Sequence, residues 1–281
     1  MHRIRTITLT ALALAALMTT TTTAQEPEAP IELWRAGGVA GFSLIGHATS
    51  GMTGLPGIPS CCPGYDGGSG SGWNLGPAIE LPLATRLSGT LRLMAAGYGG
   101  TLEADEHQLV TADRDTVTAT FRHTITESQT AVAIEALAAY APVGDLKVFA
   151  GPRIDVMIGS SYDQEERIME PSTILYENDM RTRLVYDGSL PEASTLHLSA
   201  VVGVRYDIAI NADRTLFLSP EISLWKDFTN IVADRDWSMS GVRFGLGVAF
   251  ARYRMPVQKE VLPLPPIETE EPQPSGSGSG Y

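Results

Sequence analysis

The segment Ser240-Gly241-Val242-Arg243-Phe244-Gly245-Leu246-Gly247-Val248-Ala249-Phe250 alternates residue by residue. Val242, Phe244, Leu246, Val248 and Phe250 fall on one side, and Gly241, Arg243, Gly245, Gly247 and Ala249 on the other. A period of two marks a β-strand, because successive side chains leave opposite faces of the pleat. In a water-soluble sandwich the large apolar side faces a core and the small polar side faces water. A membrane barrel inverts this, turning the large side to lipid and the small side to the bore.

The same pattern recurs outward from that segment. Leu196, Leu198, Ala200, Val202, Val204, Tyr206 and Ile208 oppose His197, Ser199, Gly203, Arg205 and Asp207. Eight Gly-rich apolar runs can be marked: 33–48, 71–83, 86–101, 131–141, 146–159, 195–210, 215–226 and 238–251. Each can supply the roughly 9–11 tilted residues that cross a bilayer. The connections alternate in length: 49–70 is long, Ala84-Thr85 short, 102–130 long, Pro142-Val-Gly-Asp145 short, 160–194 long, Asn211-Ala-Asp-Arg214 short and 227–237 intermediate. That rhythm predicts an all-β fold. It is an eight-stranded antiparallel up-and-down transmembrane β-barrel with long outer loops, short periplasmic turns and both ends on the periplasmic side. Residues 116–125 have strong β character and are expected to extend a hairpin beyond the membrane. If 105–112 pairs as well, ten strands are the alternative.

By parity, Glu80, Arg92, Glu135, Lys147, Arg153, Asp155, Arg205, Asp207, Glu221 and Arg243 lie on the non-lipid face, with the two signs balanced. A solvated outer face of a soluble sheet would be the plainer explanation. An eight-stranded barrel, however, is just wide enough inside for side chains to fill it, and buried charges must pair. The expectation is an interior salt-bridge network that plugs the bore. Trp73 and Trp237 are expected at an outer aromatic rim, and Trp34, Tyr140 and Tyr253 at an inner one. Pro77, Pro82, Pro152 and Pro220 each remove a ladder bond and are expected at bulges near the rims.

The 281 residues carry a net charge of −12, which excludes the basic face that nucleic acid requires. His2, Arg3 and Arg5, the apolar stretch 7–18 and a Thr run to Ala24 read as a secretory signal peptide over 1–24. No later window is apolar and long enough for a transmembrane helix. The barrel is expected over 33–255. A Pro/Glu/Ser/Gly-rich tail, 256–281, is expected to be a disordered periplasmic linker.

Cys61 and Cys62 are adjacent, a spacing that suits no metal site. A strained loop disulfide, a pair of free or intermolecular thiols, or another role all remain open. The histidines show no ligand spacing. His47 and His123 could be placed at the outer rim with Ser50 or Glu127 as a lipid-modifying site, but loop polarity explains them more simply. No nucleophile elbow, phosphate loop or zinc motif is present, and no cofactor is expected.

Arg243, Gly245, Val248 and Phe250 are similar to the C-terminal signal read by the outer-membrane assembly machinery. The loop Leu55-Pro-Gly-Ile-Pro-Ser-Cys61-Cys62-Pro-Gly-Tyr-Asp-Gly-Gly-Ser-Gly-Ser-Gly72, with the strand layout, resembles the N-terminal barrels of OmpA-type outer-membrane proteins of Bacteroidota and Chlorobi relatives. The resemblance covers about 33–255. It implies a bacterial outer-membrane location and contact with outer-membrane lipid and lipopolysaccharide. Family members continue into a peptidoglycan-binding domain, whereas this sequence stops at the linker, so peptidoglycan is not an expected partner of this chain alone. The expected role is a non-enzymatic structural or narrow porin-like barrel. Surface binding through the long loops is the alternative, and lipid modification a distant third.

Overall fold

A computed structural model describes residues 30–112 and 115–255. The expected signal peptide and linker lie outside the described residues. No helix among those described is long and apolar enough to cross a membrane. The described residues instead form ten strands: β1 (Ile31–Met52), β2 (Tyr65–Ala84), β3 (Leu87–Ala112), β4 (Asp115–Val143), β5 (Leu146–Glu170), β6 (Thr182–Ser189), β7 (Leu196–Tyr206), β8 (Ile208–Ala209), β9 (Leu216–Asp227) and β10 (Asp236–Arg254).

Eight of them close a ring in the order β1, β2, β3, β4, β5, β7, β9, β10. The seam is the β1–β10 ladder, which runs from Ile31 opposite Arg254 to Ser50 opposite Asp236. Every pairing in the ring is antiparallel. β6 adds to the far half of β5, and β8 to β9. The fold is therefore an eight-stranded up-and-down barrel. Residues 105–112 do pair, but with 115–122 as a continuation of β3 and β4, so they lengthen two strands and add none. The connections 85–86, 144–145 and 207–215 lie at one end of the ring, the turn end. The connections 53–64, 171–195 and 228–235 lie with the β3–β4 tip at the other, the loop end.

The outer wall carries a belt of exposed apolar side chains. It includes Trp73 through Leu83 on β2, Val132 and Ile134 on β4, Ile154 through Ile158 on β5, Val202 and Val204 on β7, and Phe244 through Phe250 on β10. Its height matches the roughly 9–11 tilted residues that cross hydrocarbon. Water would not favour this surface, whereas lipid suits it. Trp73 closes the belt toward the loop end, where its indole lies over Gly97; a Cβ there would come within 2.4 Å of the Trp73 Nε1.

Beyond the belt, toward the loop end, the two faces exchange character. Thr116, Thr118, Thr124, Thr126, Ser128 and Thr130 of β4 turn outward, while Ala119, Phe121 and Ile125 are buried with Leu102 of β3. The main apolar cluster of the bore therefore continues to the loop end, and Ala119, Phe121 and Ile168 form a separate small one. Met52, Leu55, Cys62 and Tyr65 from the β1–β2 connection pack with Ile231, Val232 and Trp237 from the β9–β10 side.

Trp237 corrects the expected outer aromatic rim. It shares the inward parity of Met239 and Arg243 and is fully buried. Trp34 stacks on Phe250 at the turn end, with ring centroids 6.4 Å apart. Of the four strand prolines, Pro82 sits at a register shift, between Pro82 and Ala84. The others cause no register shift: Pro77 lies opposite Gly38, Pro152 opposite Ala200 and Pro220 opposite Leu246, while the second ladder beside Pro77 and Pro152 lapses there without a bulge.

Candidate functional site

The bore is crossed by ion pairs. On the ring of eight, β2 faces β7, β3 faces β9 and β4 faces β10. Each of these diameters carries one pair. Arg205 of β7 donates to Glu80 of β2 at 2.5 Å. Arg92 of β3 donates twice to Glu221 of β9, at 2.8 and 2.6 Å. Arg243 of β10 donates to Glu135 of β4 at 2.5 Å. Such pairs can form only because period-two alternation sends every second residue of each wall inward.

The remaining charges attach to these pairs in two groups. Glu135 also accepts from Arg153 at 3.1 Å and lies 3.4 Å from Arg92. Arg153 holds Asp155 at 2.8 and 2.7 Å, and Tyr98 donates to the same carboxylate at 2.6 Å. Toward the turn end, Lys147 lies between Glu80 and Asp207, at 2.5 and 2.9 Å. Arg205 reaches Asp207 at 2.9 Å. All ten inward charges read from the sequence take part in ion pairs, in two groups, one around Glu135 and Glu221 and a turn-end one around Glu80 and Asp207, and all but the half-buried Lys147 are buried.

Arg35 also belongs to the network, bonded to Asp207 at 2.6 Å and to Glu32 at 2.6 Å. It escaped the sequence reading although it shares the parity of Gly37, Val39 and Gly41. Tyr98, Ser219 and Ser223 escaped it too, since neutral hydroxyls carry no charge signal. A cavity of about 40 Å³ is left beside Arg35, Glu80, Arg92 and Glu221, room for little more than a water or two.

Three buried histidines lie toward the loop end, each facing a carboxylate. His197 Nδ1 is 3.2 Å from Asp227. His47 Nε2 is 3.7 Å from Glu127. His123 lies between Glu106 at 3.1 Å and Glu166 at 3.8 Å, and Glu166 also pairs with Arg183 at 2.6 Å. Of the residues considered for a lipid-modifying site, only His47 and Glu127 come together. Ser50 leaves the wall on the opposite face from His47 and is exposed, and Glu127 faces His47 instead of His123. The side chains of both His47 and Glu127 are fully buried, out of reach of a lipid substrate on the outer wall.

Cys61 and Cys62 are free thiols, the first exposed and the second buried. Among the described residues no group of His, Cys, Asp and Glu is arranged to hold a metal ion. Of the residues read as an insertion signal, Arg243 points into the network, Gly245 sits against the Glu221 side chain, and Val248 and Phe250 face outward.

The closed ring with apolar wall and ionic bore defines a β-barrel of the class found in bacterial outer membranes. Solved structures similar to it include the attachment invasion locus protein Ail of Yersinia pestis, at 7% identity over 78% of this chain and 99% of that one, with a TM-score of 0.31. Neisserial surface protein A is similar at 10% identity over 77% and 97%, with a TM-score of 0.35. An outer membrane channel from Pseudomonas putida F1 is similar at 9% identity over 83% and 100%, with a TM-score of 0.23. No protein-family model and no curated protein matches the chain.

Proposed function

We propose that this chain is a non-enzymatic bacterial outer-membrane barrel, closed to solutes, that acts as a structural element of the envelope. The observation that carries this reading is the set of three ion pairs spanning the three diameters, roofed by the apolar core of Met52, Leu55, Ile231, Val232 and Trp237. A porin keeps a polar, water-filled bore; here side chains occupy it. The exposed apolar belt supports burial in lipid. The hydroxyl-bearing outer face of β4 suits the sugar level of lipopolysaccharide. The sequence of 1–24 supports export, and the pattern from Arg243 to Phe250 supports recognition by the assembly machinery. The strand layout and the 55–72 loop support an OmpA-type relationship.

Purified protein reconstituted in planar bilayers tests the closed bore. The expected result is no steady conductance; a large, stable pore overturns the reading. Heat modifiability on a gel tests the membrane barrel itself, and a band that does not shift on boiling overturns that.

One observation favours a second role. The far halves of β3, β4 and β5 stand beyond the belt with β6 as a four-stranded sheet, held by a continuous β3–β4 ladder up to Ala112 opposite Asp115. Such a rigid, exposed projection suits contact with a partner outside the cell. Binding of whole cells to immobilised candidate partners, with and without residues 107–120, tests it.

A further inference from the structure

We propose that Trp237, His47 and Glu127 form a proton-held latch that keeps the loop-end core seated in the barrel mouth. The device does not depend on the role proposed above, since it concerns only how the mouth is held shut.

The geometry starts in the cap. Trp237 opens β10, and its carbonyl accepts from the Ile231 amide at 2.7 Å, which ties it to the connection that covers the mouth. Its indole Nε1 donates to His47 Nδ1 at 3.1 Å. A neutral imidazole has one donor and one acceptor nitrogen. With Nδ1 accepting, the ring proton is on Nε2. That nitrogen faces Glu127 Oε1, three strands away around the ring, at 3.7 Å.

The path between them is cleared by glycine. A Cβ on Gly100 would stand 2.0 Å from His47 Nε2. Within hydrogen-bonding geometry, His47 Nε2 and both Glu127 oxygens have no partner among the described residues. The polar groups beside them are the Gly99 carbonyl and the Gln129 amide. No lysine or arginine among the described residues pairs with Glu127.

A protonated Glu127 suits this setting: its carbonyl oxygen can accept from His47 Nε2–H or from the Gln129 amide N–H. Loss of that proton to solvent leaves a bare carboxylate in an apolar roof with no cation to meet it, and such a charge draws in water or leaves. Other ionisable groups on the facing walls are Tyr98 of β3, Tyr162 of β5, which lies opposite Glu127, and the His197–Asp227 pair of β7 and β9. Tyr98 is engaged with Asp155. Both members of the latch lie past Leu44 and Val132, outside the apolar belt. Burial holds Glu127 up at about 8 and His47 down at about 4.

Cys62, buried in the same core, is a built-in reporter. In a Cys61→Ser background, maleimide labelling of Cys62 in detergent-folded protein is compared with and without Glu127→Gln at each pH, which cancels the chemistry of the thiol. The expected ratio of native to variant rate is near 1 at pH 6 and about tenfold at pH 9, one decade above the Glu127 midpoint. A ratio near 1 at both values overturns the proposal. The indole resonance of Trp237 in ¹⁵N-tryptophan protein needs no change at Glu127. It is expected to move with a midpoint near pH 8, and a resonance fixed from pH 6 to 10 overturns the latch even if the variant does not fold.

Discussion

Arg92 and Glu221 stand on opposite walls of the barrel and join across the bore through two hydrogen bonds of 2.8 and 2.6 Å. A bidentate guanidinium–carboxylate pair fixes both distance and direction. The two walls are therefore held at one separation, and the bore is filled where a channel would be open. Replacing both residues by serine removes the bridge while leaving the local charge balanced. The expected outcome is small, measurable conductance in planar bilayers where the native protein shows none.

Glu135 is shared among three guanidinium groups. It meets Arg243, Arg153 and Arg92 at 2.5, 3.1 and 3.4 Å. Glu135→Gln leaves three buried guanidinium groups short of a partner. Breaking a buried pair costs about 3–5 kcal/mol, so the urea midpoint in micelles should fall well below that of native protein. Arg122→Ala breaks an exposed pair with Asp105 and Glu103. Water already screens that pair, and the midpoint should not move.

Gly100 gives His47 its room. Gly100→Ala places a methyl group where the imidazole stands, and overpacking of this kind costs about 1–3 kcal/mol. The bond from Trp237 to His47 should break. The checks are a shifted Trp237 indole resonance at pH 6 and a lower urea midpoint.

The latch sets the direction of the pH dependence. Glu127 is raised from 4.5 to about 8 on folding. Its contribution is fully present below pH 4.5 and is lost as pH rises toward 8. His47 is lowered from 6.5 to about 4. Its contribution is fully present above pH 6.5 and is lost as pH falls toward 4. The two losses offset one another between 4.5 and 6.5, so stability should be flat there and decline above. Urea midpoints across pH 5 to 9 check this, and Glu127→Gln should remove the alkaline decline.

Strand parity made the inward charges legible from the sequence, because charges on a lipid-facing position are costly and the eye can sort them by odd and even. The alternating connection lengths likewise made the ring of eight legible. The true lengths of β3, β4 and β5 were not. Beyond the belt the apolar side chains move to the inner face, as Phe121 and Ile125 show, and a pattern sought with lipid outside ends where that exchange begins. The partnering of His47 was also hidden. Which wall faces which, and that Gly100 clears the way to Glu127, follows from closure of the ring and not from spacing along the chain.

The three diametric pairs have a consequence for how the barrel is built. Each joins strands four places apart on the ring, so no sheet of two or three neighbouring strands contains both halves of any of them. A half-assembled sheet keeps neighbour pairs such as Glu135 with Arg153 but lacks all three diametric ones, and charges left without those partners favour water over lipid. The matches come together only as the two edges, β1 and β10, approach. Much of the reward for assembly is thus deferred to the last step, which makes insertion an all-or-none event and leaves partly zipped intermediates without a resting place in the bilayer.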